Sequence, residues 1–177
     1  QWNPKMKKFI RGKRNLIHII DVEQTLRGLI RAQNYLQKLA ATGAQVLFVG
    51  TKKQIRPVIE AESKRCAMPF VVERWIGGSL TNYAVIRKRL QRLEELENLE
   101  ATGEMVQRYS KKIVSALKRE RKKISRNLEG IRTMNGLPGA MFVVDPKREE
   151  IAVKEARRMG VPTVCLLDTD CNPDYAD

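Results

Sequence analysis

The sequence holds few residues of the kinds from which catalytic and metal sites are built. It has one histidine and three cysteines in 177 residues. Cys66, Cys165 and Cys171 are scattered and lack the Cys-x-x-Cys spacing of a zinc site or redox pair, so we expect reduced structural thiols. His18 lies inside an apolar run, where an imidazole is an ordinary strand residue rather than a general base. These scarcities argue against a metalloenzyme and against thiol or histidine catalysis.

Long apolar runs and nucleotide-binding motifs are also missing. No apolar run approaches the roughly 20 residues of a membrane span, and no signal-peptide pattern occurs. The segment 50–53, Gly-Thr-Lys-Lys, is only a fragment of a Walker loop. Asp145 and Asp168 end predicted strands, but no nucleophile or second type of metal ligand accompanies them. We therefore expect a folded, soluble protein that is not an enzyme, with no cofactor, no metal, no small-molecule substrate and no membrane partner.

Acidic residues are scarce relative to basic ones. The chain has 34 Lys and Arg against 20 Asp and Glu, giving a net charge of +14 and a pI near 10. Such an excess indicates a polyanionic partner, with nucleic acid first. The charge is uneven, because no acidic residue occurs before Asp21 and no basic residue after Arg158. We expect the acidic end to face away from nucleic acid or toward a basic protein.

Short β-branched or aromatic runs alternate with helical patterns. They predict five strands, at residues 16–21, 46–50, 70–72, 141–145 and 161–168, and helices at residues 22–41, 53–66 and 149–159. Such alternation favours parallel pairing with right-handed crossovers. The first run is almost continuously apolar, which is typical of a strand covered on both faces. The prediction is an α/β fold, with a doubly wound, parallel five-stranded sheet.

Two longer helical patterns interrupt this alternation, at residues 82–99 and 107–128. Apolar residues recur in each at every third or fourth position, which predicts an antiparallel α-helical (coiled-coil) hairpin. We divide the chain into a basic N-terminal arm (1–15), a discontinuous sheet domain (16–82 and 131–177) and a hairpin insertion (83–130). Residues 84–131 carry 13 Lys and Arg against 7 Asp and Glu. Charge pairing between the two helices is the alternative, but it cannot absorb this surplus, so we favour phosphate contact.

The stretch from Arg74 to Asn82 joins sheet and hairpin. Gly77 and Gly78 allow backbone angles that are closed to other residues, and Thr81 or Asn82 can cap the next helix. Amides at a helix start attract anions, and Arg74 adds a fork that fits a phosphate. A tight turn anchored by Trp75 is the alternative reading.

The arm carries Lys or Arg at six of its first fourteen positions. So one-sided a run indicates a partner, although a frayed, solvated tail is the alternative. Trp2 beside these cations can stack on a base or pack on the domain.

With these pieces placed, the chain resembles the bacterial or organellar form of the small-subunit ribosomal protein two family. The resemblance rests on the arm with the run 17–21, on residues 47–52, on the stretch 74–82, and on residues 136–145 with 168–174. It covers nearly the whole chain in the same order. Family members continue beyond both ends of this sequence, which opens at Gln1 rather than Met, so we expect a piece of a longer protein whose sheet domain is truncated at its C-terminal end. Ser79 stands where the family more often has Met.

The resemblance implies a flavodoxin-like sheet with the inserted hairpin, and a non-catalytic role in the small ribosomal subunit. Its partners would be ribosomal RNA and neighbouring proteins, including the large messenger-binding ribosomal protein one, on a cytoplasmic or organellar ribosome. By position and charge, we expect RNA contact from Trp2, Lys5, Lys7, Lys8, Arg11, Arg14, Lys52, Lys53, Arg74, Gly77, Gly78, Asn82, Lys118, Arg119, Arg121 and Lys122. Two alternatives from other classes are a flavodoxin-like nucleotide-binding module or enzyme, and a scaffold whose basic hairpin grips an acidic protein.

Overall fold

Short β-branched and aromatic runs form the strands of the central sheet, and amphipathic stretches form the helices. The structure is a computed structural model that describes residues 2–177. In chain order its elements are β1 (Ile10–Arg14), β2 (Ile17–Ile20), α1 (Val22–Ala41), β3 (Val46–Val49), α2 (Arg56–Arg65), β4 (Phe70–Val71), α3 (Tyr83–Ala101), α4 (Glu104–Arg108), α5 (Lys111–Leu128), β5 (Ala140–Val144), α6 (Glu150–Arg158) and β6 (Thr163–Leu166).

The central sheet has four parallel strands in the order β4-β3-β5-β6. Phe48 of β3 pairs with Phe70 on one side and Phe142 on the other. The chain moves from β3 outward to β4, then returns past β3 to β5 and β6, so its direction reverses at β3. Right-handed crossovers then place α2 and α6 on opposite faces of the sheet. The predicted α/β class with a parallel sheet is confirmed.

The predicted fifth strand is not part of this sheet. Residues 16–21 contribute β2, which pairs antiparallel with β1 in a separate two-stranded ribbon. Ile17 is 69% exposed, so the expectation of a strand covered on both faces is wrong. The cause is local: Asn15 and Leu16 both have positive φ, of 47° and 66°, as in the tight turns that close hairpins. A turn this short closes at little entropic cost, and the basic arm itself supplies the partner strand.

Helix α1 has the predicted bounds but not the burial that its apolar spacing suggests. Asp21 begins it by accepting hydrogen bonds from the amides of Glu23 (2.9 Å) and Gln24 (3.3 Å). Leu26 and Leu29 are nevertheless 53% and 62% exposed, and no residue of α1 is buried. Periodicity therefore identified the helix, while the apolar face it predicted is open in residues 2–177.

The two long helices of the insertion share one hydrophobic core with the sheet. The buried residues of α3 are Ile86, Leu90, Leu93 and Leu96, and those of α5 are Ile124 and Leu128. They belong to the same cluster as Leu47, Val49 and Met141 of the sheet. Gly103, at φ 74°, separates α3 from the short α4. Extended backbone at Tyr109 and Ser110 then ends α4, so the second long helix begins at Lys111 rather than at residue 107. The antiparallel coiled-coil geometry of α3 and α5 stays a prediction.

A buried carboxylate fixes the loop that leads from β4 to α3. Glu155 of α6 is 7% exposed. Its Oε1 accepts hydrogen bonds from the Trp75 indole (3.1 Å) and the Gly78 amide (2.7 Å). Its Oε2 accepts them from the amides of Leu80 (3.1 Å) and Thr81 (3.3 Å), and from the Thr81 hydroxyl (3.2 Å). Gly78 has φ 90°, which favours glycine, whereas Gly77 has no such requirement.

These hydrogen bonds also set the protonation of Glu155. Burial alone would raise its pKa, but the donors from Gly78, Leu80, Trp75 and Thr81 outweigh burial and hold the pKa below its ordinary value. A carboxyl whose pKa is lower in the folded than in the unfolded chain stabilises the fold above its unfolded pKa. That contribution is lost as the pH falls through the folded pKa.

We expect Glu155→Gln to destabilise the protein by about 2 kcal/mol, because the new amide nitrogen cannot accept hydrogen bonds from the loop donors. The loss should be constant above about pH 4.3, the ordinary pKa of a glutamate, and should shrink at lower pH. Urea unfolding at several pH values measures it. Glu150→Gln on the same helix, where the carboxylate pairs with Lys154, is the control and should cost under about 0.5 kcal/mol. A difference between wild type and Glu155→Gln that did not shrink in acid would contradict this account.

A second stability prediction concerns Gly130, in the 3-10 turn after α5 (Glu129–Ile131). A Cβ at this position would lie 2.1 Å from the backbone carbonyl oxygen of Phe70. Gly130→Ala should therefore force α5 and β4 apart and cost about 2–3 kcal/mol, lowering Tm by roughly 5 °C or more.

The matched control is Gly28→Ala in α1, where a Cβ meets nothing within 4 Å. It should raise Tm slightly, since alanine favours a helix over glycine by about 1 kcal/mol. Equal thermal shifts for the two variants would show that the close approach at Gly130 is unimportant.

Candidate nucleic-acid interface

The N-terminal arm is folded against the body. Asn3 caps a 3-10 turn (Pro4–Phe9), and its amide donates to the carbonyl of Thr169 at 2.9 Å. Lys5 forms an ion pair with Asp174, so an acidic side chain of the C-terminal end contacts the arm. Trp2 packs on His18, with ring centroids 5.2 Å apart, which is the domain-packing alternative for this tryptophan. The frayed-tail alternative therefore fails for residues 2–14.

Several arm cations remain open. Lys7, Arg11 and Arg14 are exposed and have no carboxylate partner within residues 2–177, and Lys8 lies 5.0 Å from the centre of the Phe9 ring. The arm thus presents most of its predicted contacts to solvent.

At the carboxyl ends of the strands, most charged and polar side chains pair with one another. Lys52 lies 3.5 Å from Asp145, while Lys53 is exposed. The Thr51 hydroxyl donates to Glu149 at 2.5 Å, and Lys147 pairs with Asp170 at 2.7 Å. Of the two predicted contacts here, only Lys53 is open.

We call the stretch from Arg74 to Asn82 the glycine joint. Its backbone amides do bind an anion, which is the carboxylate of Glu155 in the same chain. The amides of Gly78, Leu80 and Thr81 are occupied by its carboxylate. Of the two capping candidates, Asn82 stands at the N-cap of α3 without a side-chain hydrogen bond, and the Thr81 hydroxyl donates to Glu155 instead. Gly77, Arg74 and Asn82 remain exposed. The joint therefore offers Arg74 to a phosphate rather than a nest of free amides.

The four predicted cations of α5 divide between two faces of the helix. Lys118 and Arg121 turn toward α3, where they lie 3.5 and 2.8 Å from the carboxylate of Glu100. The Arg121 Nε contact is close but lacks hydrogen-bond alignment. Arg119 and Lys122 are exposed on the other face, with no carboxylate partner within the described part of the chain.

The open face of α5 and the body enclose a cleft of about 530 Å³. Its lining residues are Arg56, Glu73, Arg74, Arg119, Lys122, Lys123, Arg126 and Asn127. We define this set as the basic cleft. It brings together Arg74, Arg119 and Lys122 from the predicted contacts.

Four charged members of the basic cleft were missed by sequence analysis: Arg56, Glu73, Lys123 and Arg126. Part of the set was detectable, because residues 119, 122, 123 and 126 follow the i, i+3, i+4, i+7 spacing of one helix face. The block 118–122 was chosen by charge density instead, and this block wraps around the helix. Arg56 and Glu73 are brought to the cleft by tertiary folding alone.

Glu73 organises the arginines of the cleft. Its Oε2 accepts hydrogen bonds from Arg126 Nη2 (2.6 Å) and Nε (2.9 Å) and lies 3.1 Å from Arg56 Nη1. Arg56 also donates to the carbonyl of Thr51 at 2.9 Å. The hydrogen bonds from Arg126, with the charge of Arg56, hold the pKa of Glu73 below its ordinary value against the effect of burial.

The cysteines do not contribute a reactive centre to this interface. Burial raises the pKa of the Cys165 thiol to about 12 and also raises the pKa of Cys171. Cys66 is exposed at the end of α2. Within residues 2–177, no group of three or more His, Cys, Asp or Glu side chains is arranged to hold a metal ion. None of the helices in the same residues is long and apolar enough to span a membrane.

Comparison with known proteins agrees with the resemblance seen in the sequence. The family described as ribosomal protein S2 matches residues 1–177. A protein of Rhodopirellula baltica named small ribosomal subunit protein uS2 is 57% identical over 176 residues, which are 99% of this chain and 67% of that relative. Relatives of the same name from Borrelia hermsii and Acidothermus cellulolyticus are 49% and 50% identical, over 99% and 100% of this chain and 68% and 64% of their own lengths.

The chain therefore spans about two thirds of the length of these relatives. The expected ribosomal character and the absence of an enzymatic role are confirmed by the family itself, which consists of structural ribosomal proteins. The sequence signature, the parallel α/β sheet and the match along the whole chain lead to one assignment: this chain belongs to the ribosomal protein S2 family.

Proposed function

We propose that this chain holds folded ribosomal RNA in place within the small ribosomal subunit, through contacts between its Lys and Arg side chains and RNA phosphates. The observation that carries the proposal is the set of exposed cations without a carboxylate partner in residues 2–177. Eight of them were predicted contacts: Lys7, Lys8, Arg11, Arg14, Lys53, Arg74, Arg119 and Lys122. These cations are part of the net charge of +14, and such a surplus favours a polyanionic partner.

The contact chemistry favours recognition of RNA shape over base sequence. The open cations are carried on the 3-10 turn and ribbon of the arm, on the loop after β3, on the stretch 74–82 and on α5, so their spacing is set by the fold. Trp2, for which the sequence left base stacking and packing on the domain as alternatives, is packed on His18. Cations spaced by a fixed frame bind a phosphate backbone whose shape matches them, with little readout of base edges.

The partners in this proposal are small-subunit ribosomal RNA and neighbouring ribosomal proteins, on the cytoplasmic ribosome of a bacterium. Docking of the large messenger-binding ribosomal protein stays an expectation from the family resemblance. The alternative of a nucleotide-binding module gains no support from the strand ends, where Thr51, Lys52 and Lys147 are tied to carboxylates.

We expect binding to small-subunit ribosomal RNA to weaken roughly 10³-fold between 50 and 200 mM monovalent salt, as for a protein with about six phosphate contacts. Filter binding or fluorescence anisotropy across a salt series measures the slope of log K against log salt. Nuclease-treated RNA serves as the control for non-specific retention.

Affinity that hardly changes over this salt range would contradict the proposal. Failure of the protein to co-sediment with small subunits at low salt would contradict it independently. A flavin or nucleotide that copurifies with the protein in stoichiometric amount would favour the nucleotide-binding alternative.

A further inference from the structure

The basic cleft joins two parts of the chain that are far apart in sequence. One wall comes from the body, with Arg56 at the start of α2 and Arg74 after β4. The other wall is the face of α5 that carries Arg119, Lys122 and Arg126. A ligand in this cleft therefore contacts the sheet and the inserted helices at the same time.

Charge within the cleft is strongly unbalanced. Its lining includes six Lys and Arg side chains and a single carboxylate, Glu73. Glu73 is shared by Arg126 and Arg56. Arg74, Arg119, Lys122 and Lys123 have no carboxylate partner in the part of the chain that the structure describes, residues 2–177. The cleft keeps a surplus of about five positive charges, which an anion has to balance.

The arrangement of these cations is unfavourable for the helix alone. Residue pairs 119/123 and 122/126 are like charges at i, i+4, a spacing at which repulsion costs an isolated helix a few tenths of a kcal/mol. A purely solvated helix face gains nothing from this clustering. An anion that binds between the side chains turns the same clustering into attraction.

The residues that line the cleft favour a phosphate backbone over an acidic protein as its polyanionic ligand. All eight lining residues are charged or carry an amide, and no aliphatic or aromatic side chain is among them. A protein partner is held mainly by apolar and aromatic anchors at the centre of its interface, and this cleft lacks them. Base stacking needs aromatic rings, which are absent from the lining too. Guanidinium forks and ammonium groups are the chemistry that binds phosphate oxygens.

We infer that the basic cleft binds the phosphodiester backbone of ribosomal RNA, with phosphates contacted from the body by Arg74 and from α5 by Arg119 and Lys122. Glu73 acts as a positioning residue, since it holds Arg56 and Arg126 in fixed orientations beside the phosphates. The inference rests on the proposed RNA-binding function and adds where the RNA lies. Lys118 and Arg121, although equally basic and on the same helix, take no part because Glu100 already engages them.

The test compares two double variants of the full chain with identical loss of charge. Arg119→Gln with Lys122→Gln removes two cleft cations, and Lys118→Gln with Arg121→Gln removes the two cations that pair with Glu100 of α3. The probe is small-subunit ribosomal RNA, with Kd measured across a salt series. We expect the cleft variant to bind about tenfold or more weakly and its salt slope to fall by about 2, while the control variant changes Kd by less than about threefold.

Thermal unfolding separates lost contacts from lost structure. The cleft variant should melt at or above the wild-type Tm, because like-charge repulsion is relieved. The control variant should melt slightly lower, because Glu100 loses its partners. Equal weakening of RNA binding by both variants would overturn the cleft and leave the charge-driven function standing. Salt-insensitive binding by the wild type would instead overturn the proposed function itself.

A double-mutant cycle tests whether one RNA segment bridges the walls. Arg74→Gln and Arg119→Gln are made singly and together, and Kd is measured for each. We expect the effects to be non-additive by threefold or more, since both side chains contact the same backbone. Strictly additive effects would overturn the bridging part of the inference. A polyglutamate peptide that binds as tightly as RNA, with the same dependence on Arg119 and Lys122, would assign the cleft to an acidic protein instead.

Discussion

The carboxylate of Glu155 accepts hydrogen bonds from groups that lie 74 to 80 residues earlier in the chain, and the joint between sheet and hairpin depends on it. Its partners are the Trp75 indole, the backbone amides of Gly78, Leu80 and Thr81, and the Thr81 hydroxyl. A buried N–H group that has no acceptor costs about 1–3 kcal/mol. A loop conformation that moved these donors away from Glu155 would therefore be less stable. Because α3 starts directly after the loop, α6 indirectly decides where the inserted helices leave the body. The position of Arg74 relative to α5 follows from the same anchor.

Two carboxylates thus organise the molecule in different ways. Glu155 is buried and neutralises the partial positive charge of backbone amides, which stabilises a fixed turn. Glu73 lies at the surface between two arginines and leaves a surplus of positive charge around it. Glu155 stabilises the fold. Glu73 instead keeps the long, flexible side chains of Arg56 and Arg126 in one arrangement. A phosphate backbone that meets oriented guanidinium groups loses less entropy than one that must order them.

Local pattern in the sequence predicted most of the framework. Strands β3 to β6 and helices α1 and α6 were found within a few residues of their bounds, because buried parallel strands and amphipathic helices leave strong periodicities. The same reasoning placed residues 16–21 inside the sheet, since an apolar β-branched run does not reveal its pairing partner. At the candidate site, charge density identified Arg119 and Lys122. It could not separate them from Lys118 and Arg121, because these two pair with Glu100 of α3, which is distant in sequence. Glu155 was not identified, because nothing near it in sequence indicates a role in a loop so distant.

The three thiols differ in exposure, and this difference leaves one of them available for attaching a probe. Cys165 and Cys171 are withdrawn from reaction at neutral pH, because burial keeps both protonated. Cys66 stands exposed at the C-terminal end of α2, the helix that begins with Arg56 of the basic cleft. The two ends of that helix are about 15 Å apart. A maleimide dye would attach selectively at Cys66 of this chain, close enough to sense occupancy of the cleft yet outside its lining.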